Sequence, residues 1–347
     1  MIWLTWRQFR WQAITGAAVL AVLAIVLAAT GPGLTTRYDQ IGLPTCHSTC
    51  TALATRFINE LEFGTYGKLF YAGLVAMYLV PALIGIFWGA PLIAREFETG
   101  SFRLAWNQSV TRTRWALAKL SLVGLVAVAG AGLLSLAVTW WASPIEQALS
   151  DGQPGSNFLP LSPLVFGARG IAPLGYAAFA FVLGVTAGVL IRRTVPAMAV
   201  TLVIFAGFQI LMPTLVRPHL IPPAHATAPF NANTANDFEI TSNGNGQPAT
   251  MTLVGNYSVP GAWILSNQTI TRSGRVFDGP PAGACISNSA PPQACNNWVN
   301  SLHLRQLITY QPQGRFWPLQ GAETGIYLVL TAGLGALCTW QIRRRQA

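Results

Sequence analysis

The sequence predicts an all-α membrane protein with six transmembrane helices and a small mixed, β-rich extracytoplasmic domain between the fifth and sixth. Three observations carry this. Six uncharged apolar stretches are each about as long as a bilayer is thick. Charged residues make up only 9% of the chain and hydrophobic ones 52%, whereas an ordinary globular chain is about a quarter charged. One long segment, 217–323, is dense in Asn, Ser, Thr, Gly and Pro, and it falls before the last apolar stretch.

The apolar stretches are Trp11–Thr36, Leu69–Ala94, Leu120–Ile145, Gly170–Ile191, Thr194–Val216 and Thr324–Ile342. A helix rises about 1.5 Å per residue, so roughly 20 apolar residues cross the hydrocarbon core. Ahead of the first, residues 1–11 predict an interfacial connecting helix with Ile2, Trp3, Trp6 and Phe9 on one face. The stretch that follows is too long for the apolar core of a cleavable signal peptide. Residues 12–216 then hold helices one to five. Pro81 and Pro91 predict a bend near the inner end of the second.

Between the second and third stretches, Gly100 predicts a helix stop. Ser101 can cap a new amphipathic helix over 101–111, with Phe102 and Trp106 on one face and Arg103 on another. The outside loop before the second stretch predicts a short helix near Ala52–Phe63, and the loop Glu146–Arg169 brings Phe158, Leu159 and Leu161 to the interface. Within 217–323, strand-like runs occur at Phe238–Thr241, Met251–Val254 and Ala262–Thr271, helical spacing at Asn297–Tyr310, and a composition compatible with disorder at Pro222–Ala235. Residues 324–347 form the last helix and a basic tail.

Charge predicts orientation. With six spans both termini share a side. That side holds twelve basic residues against two acids, Glu96 and Glu98, so the whole excess of +10 lies on one face. Short loops rich in Arg and Lys stay in the cytoplasm, so both termini are expected there in a multi-pass cell-membrane protein. Topology and anionic lipid headgroups account for the basic patch, and no nucleic-acid partner is expected. Cys46 and Cys50 fall in the first outside loop, Cys285 and Cys295 in the last. All four would face an oxidising compartment. The local pairings Cys46–Cys50 and Cys285–Cys295 are favoured among the three possible. Cys338 is expected to be buried in the last span. A zinc site at His47 would need further Cys or His spacing that the chain lacks, so no metal is expected.

The chemistry missing from the chain is informative. No phosphate-binding Gly-x-x-x-x-Gly-Lys-Ser/Thr is present; the nearest run, Gly64–Leu69, has the wrong spacing. The chain is therefore expected not to be an enzyme and to have no catalytic residues and no cofactor of its own. No apolar stretch carries an ionisable residue in its interior, which disfavours proton-driven transport and intramembrane catalysis. Phe87, Trp88, Phe205, Phe208 and Gln209 are candidate substrate-path residues, with an interhelical hydrogen bond the plainer reading of Gln209.

Gly89–Leu120, GAPLIAREFETGSFRLAWNQSVTRTRWALAKL, and Trp3–Arg10, WLTWRQFR, resemble permeases of the ABC-2 type, membrane subunits of bacterial ABC exporters. The likeness is to a drug- or antibiotic-export branch from high-GC Gram-positive bacteria. The resemblance implies a dimer of two permease copies and two copies of a separate ABC ATP-binding subunit that hold ATP and Mg. Cargo would be an amphipathic small molecule (drug, antibiotic, lipid or peptide-like) moving out through the lipid membrane. It also implies coupling to the ATPase through Arg95, Glu96, Glu98, Phe102, Arg103, Trp106, Arg112 and Arg114. As the only acids on the basic side, Glu96 and Glu98 are expected to pair with Arg112, Arg114 or an arginine of the ATPase, or to be neutralised within their own loop. Two other readings remain at this level: a membrane sensor or assembly protein, and an outward-facing glycosyltransferase-like enzyme using Asp39, Glu60 or Glu62.

Overall fold

A computed structural model describes residues 2–46, 50–100, 111–150, 158–232, 237–241, 250–254, 259, 261–277 and 292–344. His47, Cys285 and the expected coupling helix with Phe102, Arg103 and Trp106 lie outside the described residues. The chain divides into two compact units, Met1–Leu220 with Phe316–Ala347, and Ile221–Arg315. The second unit is thus narrower than the 217–323 expected, because Arg217 and Glu323 both belong to the helical unit.

Among the described residues, six helices are long and apolar enough to cross a membrane: Phe9–Gln40, Thr65–Thr99, Arg114–Trp141, Ala172–Ile191, Thr194–Leu220 and Gln313–Arg344. They are called the first to sixth spans. The first belongs to one uninterrupted helix, Ile2–Gln40, so residues 1–11 are not a separate connecting helix. No Pro stands near Trp11 to break it; Pro32 lies inside the helix and is tolerated there.

The fourth span is the hub. Its side chains are buried from Ala172 to Val189 almost without interruption, and the second, third, fifth and sixth spans all pack on it. Small residues let it do so. Gly85 and Gly89 on the second span face Gly184 and Gly188 on the fourth, each pair four residues apart and so on one helical face. A methyl group on Gly184 would lie 2.2 Å from the Gly85 carbonyl oxygen, and one on Gly89 would lie 2.5 Å from the Phe181 oxygen. Two backbones in direct contact are the small-xxx-small packing of membrane helices.

Two spans contain a π-helical turn, Ile84–Gly89 in the second and Met212–Val216 in the fifth. A proline accompanies each. Pro91 has no N–H for the Phe87 carbonyl; the Gln12 side chain of the first span donates to that carbonyl instead, at 3.4 Å. The Ala90 N–H reaches back five residues to Gly85. The second span is thus continuous through its π turn, and it ends at Thr99, where Gly100 takes φ +70°.

At the end of the bundle away from Arg95, the loops are folded. Cys46 and Cys50 are joined, and a helix runs over Thr51–Glu62. Its Phe57, Ile58 and Leu61 pack in one cluster with Phe70, Phe158 and Leu159. Arg169 is buried beside Glu146 and over the Phe70 ring. Burial pushes its guanidinium down to about 10, still charged at neutral pH.

In the second unit β1 (Ala224–Pro229), β5 (Arg305–Gln311) and β4 (Trp263–Ile270) form an antiparallel sheet in the order β1-β5-β4, while β2 (Asp237–Thr241) pairs with β3 (Thr250–Val254). The Thr269 hydroxyl of β4 donates to the Leu253 carbonyl of β3. Helix Pro292–Ser301 ends well before Tyr310, so the expected helix over Asn297–Tyr310 is half helix and half strand. Residues 224–229, within the stretch compatible with disorder, are strand β1. Phe230, Leu253, Val299 and Leu304 are its core. Cys295 is a disulfide cysteine.

Candidate functional site

The basic end of the bundle brings four spans together through polar contacts. On the second span, Glu96 and Glu98 are two residues apart and point different ways. Glu96 pairs with Lys119 of the third span, the two side chains being 14% and 4% exposed. Of the arginine partners expected, Arg114 is exposed and makes no ion pair among the described residues, its backbone N–H being taken by the Thr111 side chain that caps the helix; the Arg112 side chain lies outside the described residues. Lys119 sits two turns deeper, one turn beyond Trp115, and its ammonium lies 4.9 Å from that ring centre.

Glu98 acts as a cap on another helix. Its Oε1 accepts from the Thr194 N–H at 2.8 Å and its Oε2 from the Thr194 hydroxyl at 2.6 Å. Thr194 begins the fifth span, whose free N–H groups and dipole favour a carboxylate there. The Glu98 end of the second span and the start of the fifth are therefore tied. Glu96 thus has a counter-charge in Lys119, while Glu98 keeps its charge and is held by hydrogen bonds from a neutral residue of another span.

Between these ends lies a cleft of about 550 Å³, lined by Gln12 and Thr15 of the first span, Phe87, Trp88, Pro91, Arg95 and Glu98 of the second, and Thr194 and Met198 of the fifth. Phe87 and Trp88, two of the expected path residues, are here. The other three are not. Phe205 is 3% exposed and shares an apolar cluster with Phe179, Phe208 and Tyr327. Within it the Phe179 and Phe208 ring centres lie 4.9 Å apart. Gln209 has a buried side-chain nitrogen with no partner among the described residues.

The opposite end holds a cluster that the sequence reading missed. Arg217 and Glu323, 1% and 0% exposed, form a bidentate pair between the fifth and sixth spans, with Nε–Oε2 2.7 Å and Nη2–Oε1 3.0 Å. The Tyr176 hydroxyl donates to Glu323 Oε1 at 2.5 Å, and Arg217 Nη1 donates to the Pro163 carbonyl at 2.9 Å. The guanidinium lies 4.2 Å from the Phe166 ring centre. Three residues earlier, Gln320 accepts from the Ile171 and Ala172 N–H groups and donates to the Phe166 carbonyl, capping the fourth span. The partners are 106 residues apart, so no local spacing announces them. The available signal was that an Arg and a Glu abut apolar stretches on either side of one long insertion.

Among the described residues no group of three His, Cys, Asp or Glu is placed to hold a metal ion.

A family model described as ABC-2 membrane transporter related matches residues 17–217. No curated protein and no solved structure matches the chain. The matched residues take in most of the first five spans, the second- and fifth-span residues of the cleft and the Glu98–Thr194 tie, while Gln12 and Thr15 fall before them. More than half of the chain being matched, it belongs to the ABC-2 membrane transporter related family and is a multi-pass membrane permease, the transporter's membrane component.

Proposed function

We propose that this chain is one half of a homodimeric exporter of an amphipathic small molecule, driven by two copies of an ABC ATP-binding subunit that carry ATP and Mg. Both termini lie in the cytoplasm, where the basic loops place them. Unit Ile221–Arg315 is the extracytoplasmic domain, inserted before the last span. The observation that carries the reading is the cleft. It lies at the basic end and is walled by three spans. Arg95 and Glu98 stand at its edge, immediately before the segment 101–110 on which an ATPase would act.

The mechanics follow from the tie between Glu98 and Thr194. A push on the chain just beyond Thr99 reaches Glu98 first and carries the start of the fifth span with it. Two walls of the cleft then move together relative to the first span, whose Gln12 side chain donates to the Phe87 carbonyl of the second. At the far end the buried Arg217–Glu323 pair holds the fifth and sixth spans together, supporting a state open to the cytoplasm and shut outside. Two-state rearrangements of this kind require packed elements with alternative partners.

The test is co-purification with an ABC ATP-binding protein, followed by ATPase assays in liposomes. The expected result is hydrolysis stimulated by amphipathic substrate. A chain that captures no nucleotide-binding partner, or an ATPase rate indifferent to any amphiphile, overturns the proposal.

A further inference from the structure

The cleft's residues differ in how far their polar groups are already committed, and the difference indicates a ligand class. The step rests on the permease reading above. Of the two charged residues lining the cleft, Glu98 is engaged at both oxygens by Thr194, and the Arg193 guanidinium acts on the same carboxylate. Nearby, Glu96 and Lys119 neutralise each other. Arg95 is exposed and, among the described residues, has no carboxylate partner. Both Glu98 oxygens are thus already committed, and the charged group of the cleft left to meet a ligand is the Arg95 guanidinium, with five N–H donors to offer.

The apolar part is equally definite. Phe87 is 53% exposed and, with Pro91 and Met198, gives an apolar wall beside that cation. A cationic ligand held on aromatic faces is the obvious rival, and two observations oppose it. The Trp88 ring is only partly exposed, being packed against the first span. Gly16 is packed so close that a methyl group on it would lie 2.6 Å from the indole, and Phe9 sits against the same ring at 4.9 Å. Arg95 would also repel such a ligand.

We propose that the cleft binds an amphipathic anion, its carboxylate or phosphate head on Arg95 and its apolar body along Phe87, Pro91 and Met198. A charge-assisted, bidentate contact to a guanidinium suits either head. The source is a soluble single-chain acid or the headgroup of an anionic lipid.

The experiment is equilibrium binding to the full chain in nanodiscs of zwitterionic lipid. It uses two fluorescent single-chain probes identical except for a terminal carboxylate or trimethylammonium. The carboxylate probe is expected to bind about tenfold more tightly, and Arg95→Gln to abolish that preference while Arg95→Lys keeps it. Phe87→Ser should weaken both probes alike, placing them in the cleft. Displacement of the carboxylate probe by added phosphatidylglycerol identifies a lipid headgroup as the source; persistence of the probe identifies a soluble acid. Both uphold the assignment. Equal or tighter binding of the ammonium probe overturns it, as does an unchanged preference in a thermally stable Arg95→Gln protein. Binding needs no ATP, so failure to couple to an ATPase would strike the permease reading alone.

Discussion

Replacing Glu323 by Gln or Ala leaves the Arg217 guanidinium buried without its counter-charge, in surroundings that cannot hydrate it. Breaking one side of such a pair costs about 3–5 kcal/mol. The expected outcome is a marked fall in thermal stability in detergent for Glu323→Ala. The double variant Arg217→Met with Glu323→Leu should recover much of it, because two apolar side chains of similar size remove the uncompensated charge. A Glu323→Ala protein that melts with the wild type would show that the pair carries no weight. Glu98 poses a milder case. Glu98→Ala removes the carboxylate that caps the fifth span, an exposed contact whose loss is expected to cost little stability. Its larger effect is expected on coupling: with Glu96→Ala as well, transport per ATP should fall, read as flux against hydrolysis in proteoliposomes. Unchanged stoichiometry would remove the acids from the coupling route. At this scale the sequence was least legible. The isolation of Glu96 and Glu98 in a basic loop was visible, but their partners, Lys119 and Thr194, depend on how three spans meet. Arg217 and Glu323, at the margins of apolar stretches, read as ordinary boundary residues.

The spans were legible because charges bracket them. Leu69–Ala94 was expected and the helix is Thr65–Thr99, the excess being polar turns at each end. What charge could not reveal was how the spans touch. The signal was present as Gly85-x-x-x-Gly89 and Gly184-x-x-x-Gly188, and its consequence is direct. Gly184→Leu forces the second and fourth spans apart, since a single methyl already meets the Gly85 oxygen. The expected outcome is loss of monodisperse protein in detergent, whereas Gly207→Ala, where nothing lies within 4 Å, should be tolerated. Equal behaviour of the two would disprove the close approach. Strand β5 was misread for a different reason. Trp298 and Leu302 stand at helical spacing, and buried positions in the following strand include the polar Gln306 and Gln311. Their amides are paired within the unit, to Asn267 and to the Ile221 carbonyl, so an apolar alternation never shows.

For the molecule as a whole, the family match makes this chain the membrane component of a transporter, and in the proposed complex the energy enters through the ATP-binding subunits. Sequence carried this far: the six-helix plan, the charge asymmetry, and the resemblance at Gly89–Leu120 that the family match over residues 17–217 bears out. The cleft was only half legible, since Phe87 and Trp88 were singled out but the first span's Gln12 and Thr15 were not. The most direct measurement is flux in proteoliposomes holding this chain and the ABC ATP-binding subunit that co-purifies with it. ATP should be hydrolysed only when both are present, and a carboxylate amphiphile should move away from the face that bears the ATP sites. Hydrolysis by this chain alone, or movement that ignores ATP, would contradict the account.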